Sequence, residues 1–332
     1  MRRGRCPPVS RRPTPPRRCV GLVRDVENKW KKSTTKSRGS NLLTRQGKGF
    51  SGSVCGDETT TTGILLVSDL DGTMVGSSDA ADAATLDFRE YWLSEQRVRK
   101  SLLVFSTGRT LEQYLELKRE KGETLCEPDY LICAVGTRVY EKGMEGNDWV
   151  ENAKWRAKLE DNWCKEAVSK RAEGLIQAYG ESNVHLRPTH EQNSHKITCG
   201  VRSELVEDCC EELAEKLGED GVSAKLVYSG KGDWKYLDIL SASAGKLESL
   251  EFLRKTTRFS PENTIACGDS GNDIAMLEGE NKGIIVGNVQ PDLTTWYEKH
   301  SESQEHFEER VVFTKGTFAS GILEGLGFFD VL

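Results

Sequence analysis

Ile64-Leu65-Leu66-Val67-Ser68-Asp69-Leu70-Asp71-Gly72-Thr73 is the stretch on which the fold turns. It opens as an apolar run of strand length and closes with two carboxylates two residues apart. If strand geometry continues, both carboxylates point the same way, and Gly72 permits a sharp turn beyond them. Two like charges at one site demand a counterion. An isolated pair of this kind is more often an acidic turn, because Asp is common in turns. The pair therefore needs company elsewhere in the chain.

Outward from this stretch, short apolar runs at 64–68, 102–106, 130–135, 264–267 and 283–286 alternate with helical patterns. Uninterrupted runs of that length predict parallel strands covered on both faces, hence an α/β fold with a doubly wound parallel sheet. Sites in such sheets lie beyond the carboxyl ends of the strands. From about 141 to 235 the pattern changes. Helical stripes (Trp155, Leu159, Trp163, then Leu205, Cys209, Leu213, Leu217) interleave with strand-like segments at 195–201 and 224–228. This predicts an inserted α+β module, with core segments at 63–140 and 236–332 on either side, and the stripes as packing faces.

Residues 1–62 differ from the rest: Arg-rich and Pro-rich, then rich in Ser, Thr and Gly, with no acid before Asp25. They read as a disordered or targeting extension, in part matching the composition of an organellar transit peptide. A net charge of -6 offers no basic field to hold nucleic acid, and a small soluble substrate fits better. The ten cysteines contain no C-x-x-C pair and read as reduced core thiols. No apolar run is long enough to span a membrane.

A carboxylate can attack phosphorus to give a mixed anhydride, while a second acid protonates the leaving alkoxide and then activates water. Asp69 and Asp71 suit these two roles. Ser106-Thr107-Gly108-Arg109 follows an apolar run and offers a hydroxyl and backbone amides suited to phosphate oxygens. Lys246, after Ala244-Gly245 at the start of an expected helix, supplies a cation for the phosphoryl group and nucleophile. Gly268-Asp269-Ser270-Gly271-Asn272-Asp273 sets two further acids in a Gly-rich turn. Such oxygen ligands suit Mg²⁺. Each element alone is weak, but four in this order, each after a strand or at a helix start, point to one site.

In that order the four elements resemble the motifs of the haloacid dehalogenase superfamily. The resemblance implies Asp69 as nucleophile, Asp71 as general acid and base, and Thr107, Gly108, Lys246 and Asn272 around the phosphate. It implies a Mg²⁺ site formed by Asp69, Asp269, Asp273 and the main-chain carbonyl of Asp71. Over roughly 63–330 the chain further resembles the sucrose-phosphate phosphatases of plants and cyanobacteria, through LVFSTGR (103–109), AVGTRVY (134–140), EQNSHK (191–196), the segments 238–246 and 266–273, and GIIVGNVQPDLTTWY (283–297).

That likeness implies that the insert, between the second and third motifs, is a cap that closes over the core and reads the sugar. Glu191, Gln192, Asn193, Lys196 and Lys231, with Arg109 from the core, are the expected sugar contacts. The implied reaction is hydrolysis of sucrose 6-phosphate by a monomeric, cytosolic enzyme, with a sucrose-phosphate synthase as possible partner and a plastid destination if 1–62 is a transit peptide. Three departures bear on the sugar: Gly72, Arg138, and a segment 241–244 without the expected Pro-Gln. The end at Leu332 resembles the shorter cyanobacterial form. Alternatives are a phosphatase for glucosylglycerol phosphate or mannosyl phosphoglycerate, or a weakly catalytic sugar-binding partner of a synthase, which the intact motif set argues against.

Overall fold

The structure is a computed structural model that describes residues 63–143, 148–230 and 232–332, so the extension 1–62 and Lys231 lie outside the described residues. The N-terminal half of the described chain begins with β1 (Leu65–Asp69), α1 (Asp79–Tyr91), β2 (Leu102–Ser106), α2 (Leu111–Lys121), β3 (Tyr130–Cys133), β4 (Arg138–Lys142), β5 (Trp149–Glu151) and α3 (Ala153–Lys158). The middle of the chain forms α4 (Lys165–Tyr179), β6 (Val184–Leu186), β7 (Lys196–Arg202), α5 (Val206–Glu219), β8 (Ala224–Ser229) and β9 (Trp234–Ser241). There follow α6 (Lys246–Thr257), β10 (Thr264–Gly268), α7 (Ile274–Glu278), β11 (Lys282–Ile285), α8 (Pro291–Ser303), α9 (Phe307–Arg310), β12 (Val311–Phe313) and α10 (Ala319–Phe328).

The large sheet runs β12-β11-β10-β1-β2-β3-β4-β5. From β12 to β3 its pairs are parallel, as the apolar runs predict, whereas β4 and β5 add antiparallel. Successive residues of the central strands enter opposite cores. Leu66, Leu103, Phe105 and Ile265 pack with Phe88, Trp92 and Tyr114 on one side; Leu65, Val67, Val104 and Ala266 pack with Leu250, Leu253 and Met276 on the other. Double coverage is why these strands show no polar alternation. The chain leaves β1 for β2 on one side and returns as β10 on the other, so the carboxyl ends of β1 and β10 form the switch point where a site belongs.

The second sheet, β6-β7-β9-β8, is antiparallel. One face packs Val184, Ile197, Cys199, Val201, Leu237 and Ile239 against the α4 and α5 stripe of Val168, Leu175, Cys209, Leu213 and Leu217. Strand alternation sends Lys196, Thr198, Tyr236 and Asp238 to the other face.

The expected insert limits, 141 and 235, differ from this sheet pairing. β5 continues the large sheet to Glu151, and β9 runs unbroken to Ser241. Trp155 and Leu159, read as part of the insert's stripe, pack in the core beneath the large sheet. Helical spacing reveals a buried face but not the body that buries it.

The turn after β3 holds three successive left-handed residues, Ala134, Val135 and Gly136 (φ 51°, 59° and 80°). A Cβ on Gly136 would stand 2.2 Å from the carbonyl oxygen of Gly245, just before α6. Backbone meets backbone there, with no flexible side chain to yield. Gly136→Ala is therefore expected to destabilise the protein by more than about 2 kcal/mol, combining the positive φ with the clash. Urea denaturation measures it, and an unchanged midpoint would contradict the close packing.

Candidate active site

Asp69 ends β1 beside Ser106, which ends β2, and Gly268 ends the neighbouring β10. The apolar strands thus deliver all three motifs to one edge of the sheet. Asp69, Asp269 and Asp273 are buried, and each offers a carboxylate oxygen within 4.8 Å of the others. Lys246, the first residue of α6, enters this group from the side. Its Nζ donates to Asp69 Oδ1 at 2.6 Å, to Asp273 Oδ1 at 2.7 Å and to Asn272 Oδ1 at 3.2 Å.

Burial pushes the Asp69 carboxyl up to about 8, opposed by the Lys246 ammonium and helped by the negative charge of Asp273. Burial raises Asp269 too, again with Asp273 adding to it. Burial works against the charge on Lys246, but Asp273 and Asp69 overcome it and hold the amine protonated well above its usual value. Three carboxyl groups around one ammonium crowd negative charge in a dry place, and this crowding helps push two of them toward their neutral forms. The donor set consists of hard oxygen ligands with that crowded charge, and it fits a divalent cation.

Asp269 is fixed by Thr73 Oγ1 at 2.9 Å and by Gln290 Nε2 at 3.2 Å. Asp273 Oδ2 accepts from the backbone amides of Asp269 and Ser270, each at 3.2 Å, so this side chain also ties its own loop. Asn288 Nδ2 donates to the carbonyl of Gly72 at 2.6 Å and pins the turn after the acid pair. Gly72 has φ 88°, and a Cβ there would lie 2.6 Å from Asp269 Oδ2. Gly72→Ala should therefore displace the Asp269 carboxylate. The expected result is at least a tenfold weaker metal affinity by titration calorimetry, the scale seen when the support of a metal ligand is removed. Unchanged affinity would mean that Asp269 does not bind the metal.

Asp71 stands apart. Its side chain is 51% exposed and is gripped by Arg109, whose Nε and Nη2 donate to Oδ2 and Oδ1 at 2.8 and 2.7 Å. The acid cluster does not include the Asp71 carboxylate. Thr107 is buried, and its Oγ1 accepts from the Arg109 amide at 3.1 Å. Ser106 Oγ is buried with no hydrogen-bond partner among the described residues.

A cavity of about 340 Å³ opens between this edge and the polar face of the small sheet. Its core wall includes Gly108, Val135, Lys246 and Asn272; its cap wall includes Arg187, Glu191, Lys196, Thr198, Tyr236 and Asp238. Arg187 and Glu191 form a bidentate pair at 3.0 and 2.7 Å. Asp238 Oδ1 accepts from Thr198 Oγ1 at 2.6 Å and Lys196 Nζ at 3.1 Å.

Of the expected sugar contacts, Glu191 and Lys196 line this cavity, whereas Gln192, Asn193 and Arg109 do not. Gln192 donates to the carbonyls of Arg187 and Thr198 and accepts from the Thr198 amide. Asn193 donates to Thr137 Oγ1 at 2.8 Å and accepts from the His195 amide, joining the small sheet to the turn before β4. Their amides are spent on the protein, and Arg109 is spent on Asp71. Arg187, Thr198, Tyr236 and Asp238 escape the sequence reading. Asp238 left a signal, a lone acid among Leu237, Ile239 and Leu240 in a strand, but Arg187 left none.

The described residues include no helix long and apolar enough to cross a membrane. The sequence family described as Sucrose-6F-phosphate phosphohydrolase matches residues 62–330. Sucrose-phosphatase 1 of Nicotiana tabacum is 34% identical over 273 residues, covering 81% of this chain, which spans only 59% of that relative's length. Mannosylfructose-phosphate phosphatase of Agrobacterium fabrum is 31% identical, over 79% of this chain and 95% of its own. The X-ray structure of the sucrose-phosphatase from Synechocystis sp. PCC6803 in complex with sucrose and phosphate superposes with a TM-score of 0.66 at 30% identity, covering 80% of this chain and 98% of that one. A family match across both sheets and every motif of the acid cluster means that this chain belongs to the Sucrose-6F-phosphate phosphohydrolase family, within the haloacid dehalogenase superfamily.

Proposed function

We propose that the protein is a Mg²⁺-dependent phosphatase that hydrolyses sucrose 6-phosphate to sucrose and inorganic phosphate. The cavity carries this reading: one wall ends on Lys246, 2.6 Å from Asp69, and the facing wall offers paired donors and acceptors of the kind that sugar hydroxyls need. Family membership and the sucrose and phosphate bound in the Synechocystis relative support the same substrate.

In this scheme a carboxylate oxygen of Asp69 attacks phosphorus while the bond to the sugar oxygen breaks. Asp71 gives that oxygen a proton, and the product is an aspartyl phosphate. Asp71 then takes a proton from water, which attacks phosphorus and releases phosphate and the Asp69 carboxylate. The Arg109 fork holds Asp71 at the rim, and the proton steps require that grip to loosen. Lys246 and Asn272, with Thr107 and the Gly108 amide, hold the phosphoryl oxygens. Asp69, Asp269, Asp273 and the Asp71 carbonyl would hold Mg²⁺, which would supply positive charge to the phosphoryl group. The small sheet with α4 and α5 serves as the cap.

Mannosylfructose phosphate is a second candidate substrate, favoured by the Agrobacterium relative, which aligns over 95% of its length. The test is phosphate release from sucrose 6-phosphate beside mannosylfructose phosphate, glucosylglycerol phosphate and mannosyl phosphoglycerate, with Mg²⁺ or with EDTA. Preference for sucrose 6-phosphate that vanishes in EDTA is the expected result. Preference for another sugar would replace the substrate and keep the chemistry, and no turnover of any would favour a sugar-binding subunit. Under the same reading the enzyme is a cytosolic monomer with a sucrose-phosphate synthase as candidate partner. Co-elution with that synthase on gel filtration checks the partner, and a fluorescent fusion to residues 1–62 checks for plastid import.

A further inference from the structure

A second cavity of about 150 Å³ lies on the same polar face of the small sheet, lined by His185, Arg187, Gly200, Trp234, Lys235 and Tyr236. Arg187 and Tyr236 line both this cavity and the larger one. The cause is strand alternation. Along β9, Asp238 lines the larger cavity, Tyr236 both, and Trp234 the smaller one; along β7, Thr198 lines the larger and Gly200 the smaller. Each step of two residues advances about 6.8 Å on one face. The two cavities are therefore successive stations on one track leading away from Lys246.

The walls of the outer station are held before any ligand arrives. The Arg202 guanidinium covers the Trp234 ring at 4.4 Å, and His185 meets that ring edge-on at 4.8 Å between centroids. Arg187 lies 4.9 Å from the centre of the Tyr236 ring. Gly200 provides the floor on which the His185 ring rests, since a Cβ there would come within 2.5 Å of His185 Nε2. Two aromatic rings, two cationic side chains and an imidazole around a small recess suit a sugar ring, whose C–H face packs on aromatics while its hydroxyls accept from cationic donors.

We infer that the outer station is a subsite for one further glycosyl unit, attached to the non-phosphorylated end of the disaccharide whose phosphate meets Lys246. The inference rests on the proposed sugar phosphatase reading for its orientation. Its consequence is that the protein binds a sucrose-based trisaccharide more tightly than sucrose itself.

Titration calorimetry with sucrose and with raffinose, a trisaccharide that carries a galactosyl unit on the glucose of sucrose, tests this on the full chain without turnover. Wild type should bind raffinose about three- to tenfold more tightly than sucrose, the gain of one further sugar ring buried beside Trp234 with a hydrogen bond or two. Trp234→Ala, which changes a residue outside the larger cavity, should erase that preference and leave the affinity for sucrose unchanged; Trp234→Phe should keep most of it. Equal binding of the two sugars by wild type, or equal losses for both in Trp234→Ala, would overturn the subsite. His185→Ala provides a second variant should Trp234→Ala not fold. Phosphate release from sucrose 6-phosphate, measured alongside, keeps the two readings apart: its absence removes the phosphatase, while the raffinose preference alone decides the subsite.

Discussion

Asp69→Asn should leave a folded protein whose phosphate release from sucrose 6-phosphate falls by at least about 10⁴-fold, the scale on which losing a nucleophile acts. Asn keeps the size of the side chain and an oxygen that Lys246 can still reach, and the Asp269 and Asp273 carboxylates stay in place. What disappears is the carboxylate oxygen proposed to form the bond to phosphorus. The control for fold damage follows from the sign of the Asp69 shift. Its folded value, near 8, lies above the unfolded value of 3.8, so the contribution of this group to stability is full below pH 4 and declines as the pH rises to about 8. A neutral Asn has no such loss. In EDTA the variant should therefore melt at or above wild type at pH 8, with the difference shrinking toward pH 4. Low activity with that melting pattern isolates the chemical role. Substantial remaining turnover would sink the covalent scheme.

The parts of this site written in contiguous sequence were legible, because a strand, a turn and a helix start fix their side chains locally. Asp69 after 64–68, Lys246 at the start of α6 and the 268–273 turn all arrive at one sheet edge for that reason. What stayed hidden depended on partners distant in the chain. Thr73, Gln290 and Asn288 find Asp269 and the Gly72 carbonyl across about 200 residues or through a separate loop, and nothing local announces them. Gln192 and Asn193 look like sugar ligands in a polar loop, yet short polar side chains in loops readily bond nearby backbone, as both do here. The cap cavity obeys the period-two rule of β7 and β9, so Tyr236 and Asp238 were within reach of pattern reading once the strands were placed. The antiparallel β4 and β5 were missed because Arg138, Glu141 and Lys142 leave β4 without an apolar run and β5 is only three residues long.

Lys246→Met should be the most damaging single change to both stability and activity. The Lys246 side chain is 2% exposed and sits between the carboxylates of Asp69 and Asp273, themselves 8% and 0% exposed. Met matches its length and fills the same volume, so packing changes little. The loss is electrostatic: three buried acids then face one another with no cation, and removing one partner of a buried pair costs about 3–5 kcal/mol. Urea denaturation in EDTA at pH 9, above the Asp69 value of about 8, measures that cost. Mg²⁺ should restore part of it, because a ligand that binds only the folded cluster stabilises it by RT ln(1 + [Mg²⁺]/Kd). Turnover should stay about 10²- to 10³-fold down even with saturating Mg²⁺, since the metal cannot replace the donor that Lys246 is proposed to aim at the phosphoryl oxygens. A variant as stable as wild type in EDTA would mean that the acids are mostly protonated without metal. Recovery of full activity in Mg²⁺ would make Lys246 a structural counterion and leave the phosphoryl group to the metal, Asn272 and the Gly108 amide.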